Sequence, residues 1–220
     1  MAVDLRLYAL IDPEHAGGHD LVELARLVAQ GGATLVQLRD KRSSTRPMLE
    51  RARDIKAALK AFAVPFLIND RVDVALASGA DGVHVGQEDM AVRDARRLLG
   101  GHGVIGLSIK TVAEVNAAPL DVLDYVGVGG VYATSSKENP APPIGTAGLK
   151  RISDLVRDRA PGFPLCGIAG ITIENASAAI AAGADGVAVI SALSHASDPA
   201  AAARGMRAVI DAALAQSGRL

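Results

Sequence analysis

The sequence predicts an α/β protein, a single (β/α)8 TIM barrel. Three observations carry that reading. Eight short runs rich in aliphatic residues alternate with eight longer amphipathic or Ala-rich patterns. The short runs are nearly continuous in apolar residues, as in parallel strands covered on both faces. Gly-Ala-Asp-Gly occurs twice, at 79–82 and 183–186, each time opening a short apolar run. That echo places the fourth and eighth strands at equivalent positions. So many strand-then-helix units in 220 residues favour a closed parallel barrel over an open doubly wound sheet. The barrel is expected to take in residues 1–220, with its site at the C-terminal ends of the strands.

The expected strands are 6–11, 34–39, 65–69, 82–86, 104–108, 125–129, 165–169 and 187–191. The expected helices are 20–30, 46–61, 71–78, 91–99, 112–117, 147–159, 173–182 and 200–215. Helices that end in Gly followed by a small residue, as at Gly31, Gly79 and Gly183, have the left-handed cap that precedes a new strand. Asp81 and Asp185, at the bottom turns, read as structural. The segment 132–146 is a long loop with Pro140, Pro142 and Pro143, and it follows the sixth strand on the face where barrels keep their chemistry.

Composition narrows the function. Hydrophobic residues make up 50% and aromatics only 3%, so the core is expected to be Ala, Val, Leu and Ile. The net charge of −1 provides no general field for nucleic acid or anionic lipid, so any anion site must be local. No apolar run approaches membrane-spanning length, and the N-terminus lacks the pattern of a secretory signal. The lone Cys166 excludes a disulfide framework and reads as a buried structural thiol in a cytoplasmic enzyme. The sequence leaves the oligomeric state open, a homo-oligomer included.

Core strands should end in bland turn residues, yet several end here in charged or amide groups. After the second strand, alternation puts Gln37, Arg39 and Lys41 on one side of the extended chain. Two cations and an amide there suit phosphate oxygens, although a solvated strand end has the same composition. Asp70 follows the third strand and Asp89 the fourth. Each fits a helix N-cap as well as a metal carboxylate. Adjacent strands lie about 4.8 Å apart, so the two acids beside an Arg and a Lys make a mixed-charge cluster. Mg²⁺ is held in such clusters by one or two carboxylates together with substrate phosphates.

His84 lies within the fourth strand without a second ligand at metal spacing, which favours a core or supporting role. Ser108 ends the fifth strand; its hydroxyl suits a phosphate oxygen, and no base for a nucleophile is evident in the sequence. Thr134, Ser135, Ser136 and Lys137 begin the long loop and form a phosphate-binding set. Gly170 after the seventh strand, with Ile190 and Ser191 at the eighth, offers the backbone N–H groups of the usual barrel phosphate site. Two anionic substrates follow from this: a metal-bound pyrophosphate near the second to sixth strands, and a phosphate monoester near the seventh and eighth.

At these residues the sequence resembles thiamine-phosphate synthases, from Leu7-Tyr8-Ala9-Leu10 through the eighth strand. The matching segments are Gln37-Leu38-Arg39-Asp40-Lys41, Asn69-Asp70-Arg71, Gly82-Val83-His84-Val85-Gly86-Gln87-Glu88-Asp89, Gly106-Leu107-Ser108, Thr134-Ser135-Ser136-Lys137 and Gly186-Val187-Ala188-Val189-Ile190-Ser191. Their joint order is specific where none alone would be. The resemblance implies a Mg²⁺-dependent transferase that joins 4-amino-2-methyl-5-(diphosphomethyl)pyrimidine to 4-methyl-5-(2-phosphoethyl)thiazole, or its 2-carboxylate. Thiamine monophosphate and pyrophosphate would be the products. It implies catalytic roles for Arg39, Lys41, Ser108 and Lys137, pyrimidine diphosphate binding by these with Gln37 and Asn69, and metal binding by Asp70 and Asp89. Thr134, Ser136, Gly170, Ile190 and Ser191 would bind the thiazole phosphate.

The chain departs from the family at Gly129-Gly130, where Gly-Pro is usual, at Ser136, where Thr is usual, and at Ala169, where Gly is usual. Gly130 is expected to loosen the loop. Two rivals share the scaffold. A thiazole tautomerase needs a general base and no diphosphate set, and its members typically carry a His shortly after the fifth-strand Ser, where this chain has Ile109 and Lys110. A non-catalytic thiamine-phosphate-binding barrel would not need the charged set.

Overall fold

The computed structural model describes residues 3–134, 136 and 142–219. Eight parallel strands close into a barrel in chain order. They are β1 Leu7–Ile11, β2 Leu35–Leu38, β3 Phe66–Asn69, β4 Gly82–Val85, β5 Val104–Ile109, β6 Tyr125–Gly129, β7 Leu165–Ile168 and β8 Gly186–Val189. Pairing of β8 with β1, Leu7 opposite Val187 and Ala9 opposite Val189, closes the ring. Around it lie α1 Leu21–Gln30, α2 Thr45–Leu59, α3 Val72–Ser78, α4 Val92–Leu99, α5 Val112–Ala117, α6 Gly145–Arg159, α7 Ala176–Ala181, α8 Ser191–Ser194 and α9 Pro199–Gln216. Among the described residues no helix is long and apolar enough to cross a membrane.

Most predicted boundaries shift by one to three residues, and three of the shifts have a clear local reason. The eighth strand ends at Val189 rather than at 191, because Ile190 leaves the extended region (φ −112°, ψ −83°) and Ser191 opens the short helix α8. The sixth helix starts at Gly145, inside the predicted loop 132–146. Backbone bonds from Ile144 N to Gly130 O (2.9 Å) and from Gly145 N to Val131 O (3.0 Å) tie that helix start to the end of β6. The seventh helix starts at Ala176 rather than 173. Asn175 holds the preceding turn, its side chain accepting from Thr172 N (2.8 Å) and donating to Gly170 O (3.0 Å).

Alternation along each strand sorts the core into two parts. Outward residues such as Leu7, Val36, Phe66 and Val126 pack against the helices in an aliphatic layer. Inward residues form a smaller cluster that includes Tyr8, Leu10, Leu35, Leu67, Tyr125, Cys166 and Ala188. The outer layer has the expected aliphatic make-up, but the interior is built around two tyrosines. Towards the C-terminal ends the inward positions turn polar, at Gln37, Asn69, His84 and Ser108.

At the opposite end the strands are locked in pairs by one device used four times. The residue before each even strand bonds twice to the odd strand beside it. Its backbone N–H donates to a carbonyl, and its side chain accepts from the same residue's N–H. Thr34 does this with Leu7 (2.8 and 3.1 Å), Asp81 with Phe66 (2.8 and 2.7 Å), Asp124 with Ile105 (2.9 and 2.7 Å) and Asp185 with Leu165 (2.8 and 3.0 Å). Each of the three acids is also held by a cation from an outer helix: Lys56, Arg96 and Arg157 at 2.5, 2.6 and 2.8 Å.

The repeated Gly-Ala-Asp-Gly now reads residue by residue. The first Gly takes a left-handed conformation (Gly79 φ +71°, Gly183 φ +107°), which a side chain would resist. The Asp locks the strand pair. The last Gly admits a neighbouring backbone, since a Cβ would stand 1.9 Å from Val104 O at Gly82 and 1.7 Å from Leu5 O at Gly186.

Asp81→Ala and Asp185→Ala should each cost about 1–3 kcal/mol by stranding a strand N–H. For a barrel of this size that is roughly 2–4 °C in Tm per kcal/mol, readable by calorimetry; an unchanged Tm would remove the lock from the account. Cys166 is buried in the barrel interior, and burial pushes its thiol up to about 12. It should therefore resist a disulfide reagent at pH 8 in the folded protein and react fully in denaturant.

Candidate active site

A cavity of about 830 Å³ opens at the C-terminal ends of the strands, and Arg39, Lys41, Gln87, Ser108, Lys110 and Ser136 are among the residues that line it. Arg39 and Lys41 follow β2 as expected, but both meet acids. Arg39 is 8% exposed and forms an ion pair with Asp12, which is 1% exposed. Its Nε has no hydrogen-bond partner among the described residues. Lys41 pairs with Asp70. Arg42, also lining the cavity, pairs with Glu14. Asp40 does a different job: its carboxylate accepts from Ser43 N (2.9 Å) and Arg42 N (3.2 Å) and pairs with Arg51, folding the loop before α2. Burial pushes its pKa up, and those partners outweigh burial and hold it below the ordinary value.

Asp70 and Asp89 are not helix caps. The residue before α3 is Arg71 and the residue before α4 is Ala91, and neither helix start receives a side-chain bond. Asp70 sits at φ +60°, rare for a non-glycine residue, and β3 lies beside β4 with Asn69 opposite His84. Asp89 folds back to accept from Gly86 N at 2.7 Å, and its carboxyl comes within hydrogen-bonding reach of Asp70. Burial and Asp89 together push the Asp70 pKa above its ordinary value, against the pull of Lys41. Two carboxylates crowded in this way suit a divalent cation, which relieves their repulsion. Among the described residues no cluster of three acidic, His or Cys ligands accompanies them. The donor set therefore fits an ion that completes its shell with water and phosphate oxygens, as Mg²⁺ does.

Below the rim, polar side chains cross the barrel interior. Gln37 donates to the Tyr8 hydroxyl, which lies 2.8 Å from that of Tyr125. His84 Nδ1 lies 2.8 Å from Tyr125 OH, and its Nε2 lies 2.8 Å from Ser108 Oγ. Ser108 thus has an imidazole beside it, which the sequence did not reveal because 24 residues separate the pair. Gln87 Nε2 donates to Ser108 O at 2.7 Å. Gln37, Arg39, Asn69, His84 and Ser108 face one recess at this level.

A second recess adjoins the main cavity and shares Arg39, Ser136, Ile168 and Ala169 with it. It brings together Thr134, Ser136, Gly170, Ile190 and Ser191, from the ends of β6, β7 and β8. Thr134 Oγ1 accepts from Ser136 N at 3.1 Å. Ala169 has a left-handed φ of +78°. The Gly129–Gly130 peptide is cis. Lys137 lies outside the described residues.

Four participants escaped the sequence reading. Asp12 carries the one available signal, an acid directly after the first strand. Tyr8 and Tyr125 sit in apolar strands and look like core. Lys110 lines the cavity with its Nζ buried and without a hydrogen-bond partner among the described residues; the sequence marked it only as a departure from the tautomerase pattern.

Comparison with known proteins identifies the family. A family model described as thiamine monophosphate synthase matches residues 7–193. A thiamine-phosphate synthase of Agrobacterium fabrum is 50% identical over 212 residues, covering 96% of each chain. One of Moorella thermoacetica is 45% identical over 204 residues, covering 93% of this chain and 95% of its own. The solved thiamine phosphate pyrophosphorylase from Pyrococcus furiosus superposes with a TM-score of 0.84 at 33% identity, over 96% of this chain and 98% of that one. With a closed eight-stranded barrel, a charged rim and matches over almost the full length, this chain belongs to the thiamine monophosphate synthase family.

Proposed function

We propose that this chain is a Mg²⁺-dependent thiamine-phosphate synthase of the cytoplasm. It is a transferase by family. It would join 4-amino-2-methyl-5-(diphosphomethyl)pyrimidine to 4-methyl-5-(2-phosphoethyl)thiazole, or the 2-carboxylate of that thiazole. The observation that carries the reading is the grouping of Asp70 and Asp89 with Lys41, which lines the main cavity. A site that only tautomerised a thiazole, or only held a product, would have no use for such a charge cluster.

In this reading the methylene C–O bond of the pyrimidine breaks and its electron pair leaves with the diphosphate. The thiazole nitrogen then supplies the pair for the new C–N bond. The demand on the protein is to stabilise the leaving group rather than to activate a nucleophile. Asp70 and Asp89 would hold Mg²⁺, which when bound supplies positive charge to the departing diphosphate. Arg39 and Lys41 line the main cavity while paired to acids, so each would already be oriented when an anion arrives. Lys137 joins them by resemblance. Gln37, Asn69 and Ser108 offer amide and hydroxyl groups to the pyrimidine at the floor. Thr134, Ser136, Gly170, Ile190 and Ser191 would take the thiazole phosphate in the adjoining recess, at the barrel position where phosphates commonly bind.

Purified protein with both substrates and Mg²⁺ should release pyrophosphate in step with thiamine monophosphate, and chelation should stop it. No release under any metal condition would end the synthase reading. Thiazole carboxylate tautomerisation without pyrimidine would favour the rival isomerase. Asp89→Ala should lower kcat by about 10²–10³-fold, the scale of losing one preorganised electrostatic contact, with Tm close to wild type. Full activity in that variant would remove Asp89 from the site.

A further inference from the structure

The polar side chains that cross the barrel interior form a single relay from Gln37 through Tyr8, Tyr125 and His84 to Ser108. It links β2, β1, β6, β4 and β5. The two tyrosines are at most 1% exposed, and burial pushes both phenol pKa values well above the ordinary value, so each keeps one proton. Glycines on two neighbouring strands make the room. A Cβ at Gly106 would stand 2.1 Å from Tyr125 Cζ and 2.5 Å from His84 Nδ1; one at Gly127 would stand 3.2 Å from His84 Cε1.

A phenol and a neutral imidazole each have one proton to give, so the relay runs in one direction along its whole length. The direction is set at Gln37, whose amide nitrogen can only donate. Tyr8 accepts there and gives its proton to Tyr125. Tyr125 gives its own to His84 Nδ1. The imidazole proton must then sit on Nε2 and point at Ser108 Oγ, where it cannot act as a base. The Ser108 proton is left for the cavity that Ser108 lines. At the other end Gln37 Oε1 is buried without a hydrogen-bond partner among the described residues, and Gln37 lines the floor recess together with Ser108.

We propose that Tyr8, Tyr125 and His84 are positioning residues that hold His84 as its Nε2–H tautomer and thereby make Ser108 a hydrogen-bond donor to substrate, not a nucleophile. The identity of that substrate as an aminopyrimidine rests on the proposed function; the direction of the relay does not. A ring nitrogen beside an exocyclic amine needs one donor and one acceptor, which Ser108 Oγ–H and Gln37 Oε1 supply.

The test is nitrogen NMR on the full chain with ¹⁵N-labelled histidine, without ligand and at neutral pH, the His84 signals assigned by their loss in His84→Gln. The expected spectrum has Nε2 protonated and Nδ1 as acceptor. Tyr125→Phe keeps the ring and removes the donor. It should give mixed tautomers and a kcat/KM for the pyrimidine diphosphate lower by about 10–100-fold, the range for loss of a group that orients a site residue. The KM for the thiazole phosphate should be unchanged. An Nδ1–H tautomer in the wild type would mean that Ser108 donates to His84, and would overturn the proposal. So would a doubly protonated ring, an unaltered tautomer in Tyr125→Phe, or unaltered kinetics in that variant. If Tyr125→Phe does not fold, the wild-type spectrum decides alone. The expected tautomer in a protein without synthase activity would leave the relay standing and overturn the substrate assignment.

Discussion

The pairing of β8 with β1 is the constraint on which the rest of this structure depends. An open parallel sheet of eight strands would leave two unpaired edges and spread its strand ends along a line. Closure with Leu7 opposite Val187 bends that line into a ring, and every loop that follows a strand then faces the same mouth. Arg39 and Asp12, Lys41 and Asp70, and Ser108 and His84 come from neighbouring strands, but Tyr125 of β6 reaches Tyr8 of β1 and His84 of β4 across the barrel because the ring has only one interior. The lower end is occupied by the fourfold lock of Thr34, Asp81, Asp124 and Asp185. Stability there is secured without touching the mouth, so the upper ends can carry charge.

The interior faces a conflict of its own. A barrel of this size is filled by side chains, and a chain with few aromatics has few large residues to fill it. Tyr8 and Tyr125 occupy the middle, with glycine at 106 and 127 opposite the rings. Burying two phenols, an imidazole and an amide is costly unless each is paired. A relay that runs from wall to wall satisfies these groups in sequence and delivers two polar atoms to the cavity floor. One arrangement thus fills the core and shapes the site.

At the rim the charges are held in pairs. Arg39, Lys41 and Arg42 each meet a carboxylate, so each of these three cations is offset by an acid. Asp70 carries the exception. It has an unusual backbone conformation, a half-buried carboxyl and a second acid beside it, with a single lysine to offset them. Ala169 has a similar left-handed backbone on the far side of the mouth. Such departures persist where the surrounding structure holds them, and they gather at functional positions.

The order of strands and helices was legible in the sequence, because buried parallel strands read as short apolar runs and because glycine marks the helix ends that precede them. The Gly-Ala-Asp-Gly repeat was legible as an echo, though not as a lock, since its partner N–H groups belong to strands more than a dozen residues away. The candidate rim residues stood out as polar groups in places where a core strand should end blandly. What they do to one another was invisible. Asp70 and Asp89 each read equally well as a helix cap until the fold turned Asp89 back onto Gly86 and set Asp70 against Lys41. Asp12 drew no reading from the sequence, and Tyr8 and Tyr125 sit in apolar strands like ordinary core. Sequence alone determined the alternation of elements, the class of barrel and the kinds of chemical group at the strand ends, because these follow from local periodicity and composition. Only the tertiary structure decided which acid holds which base and which hydroxyl meets the imidazole, because those contacts join separate strands whose side chains meet only once the strands are paired and the interior is enclosed.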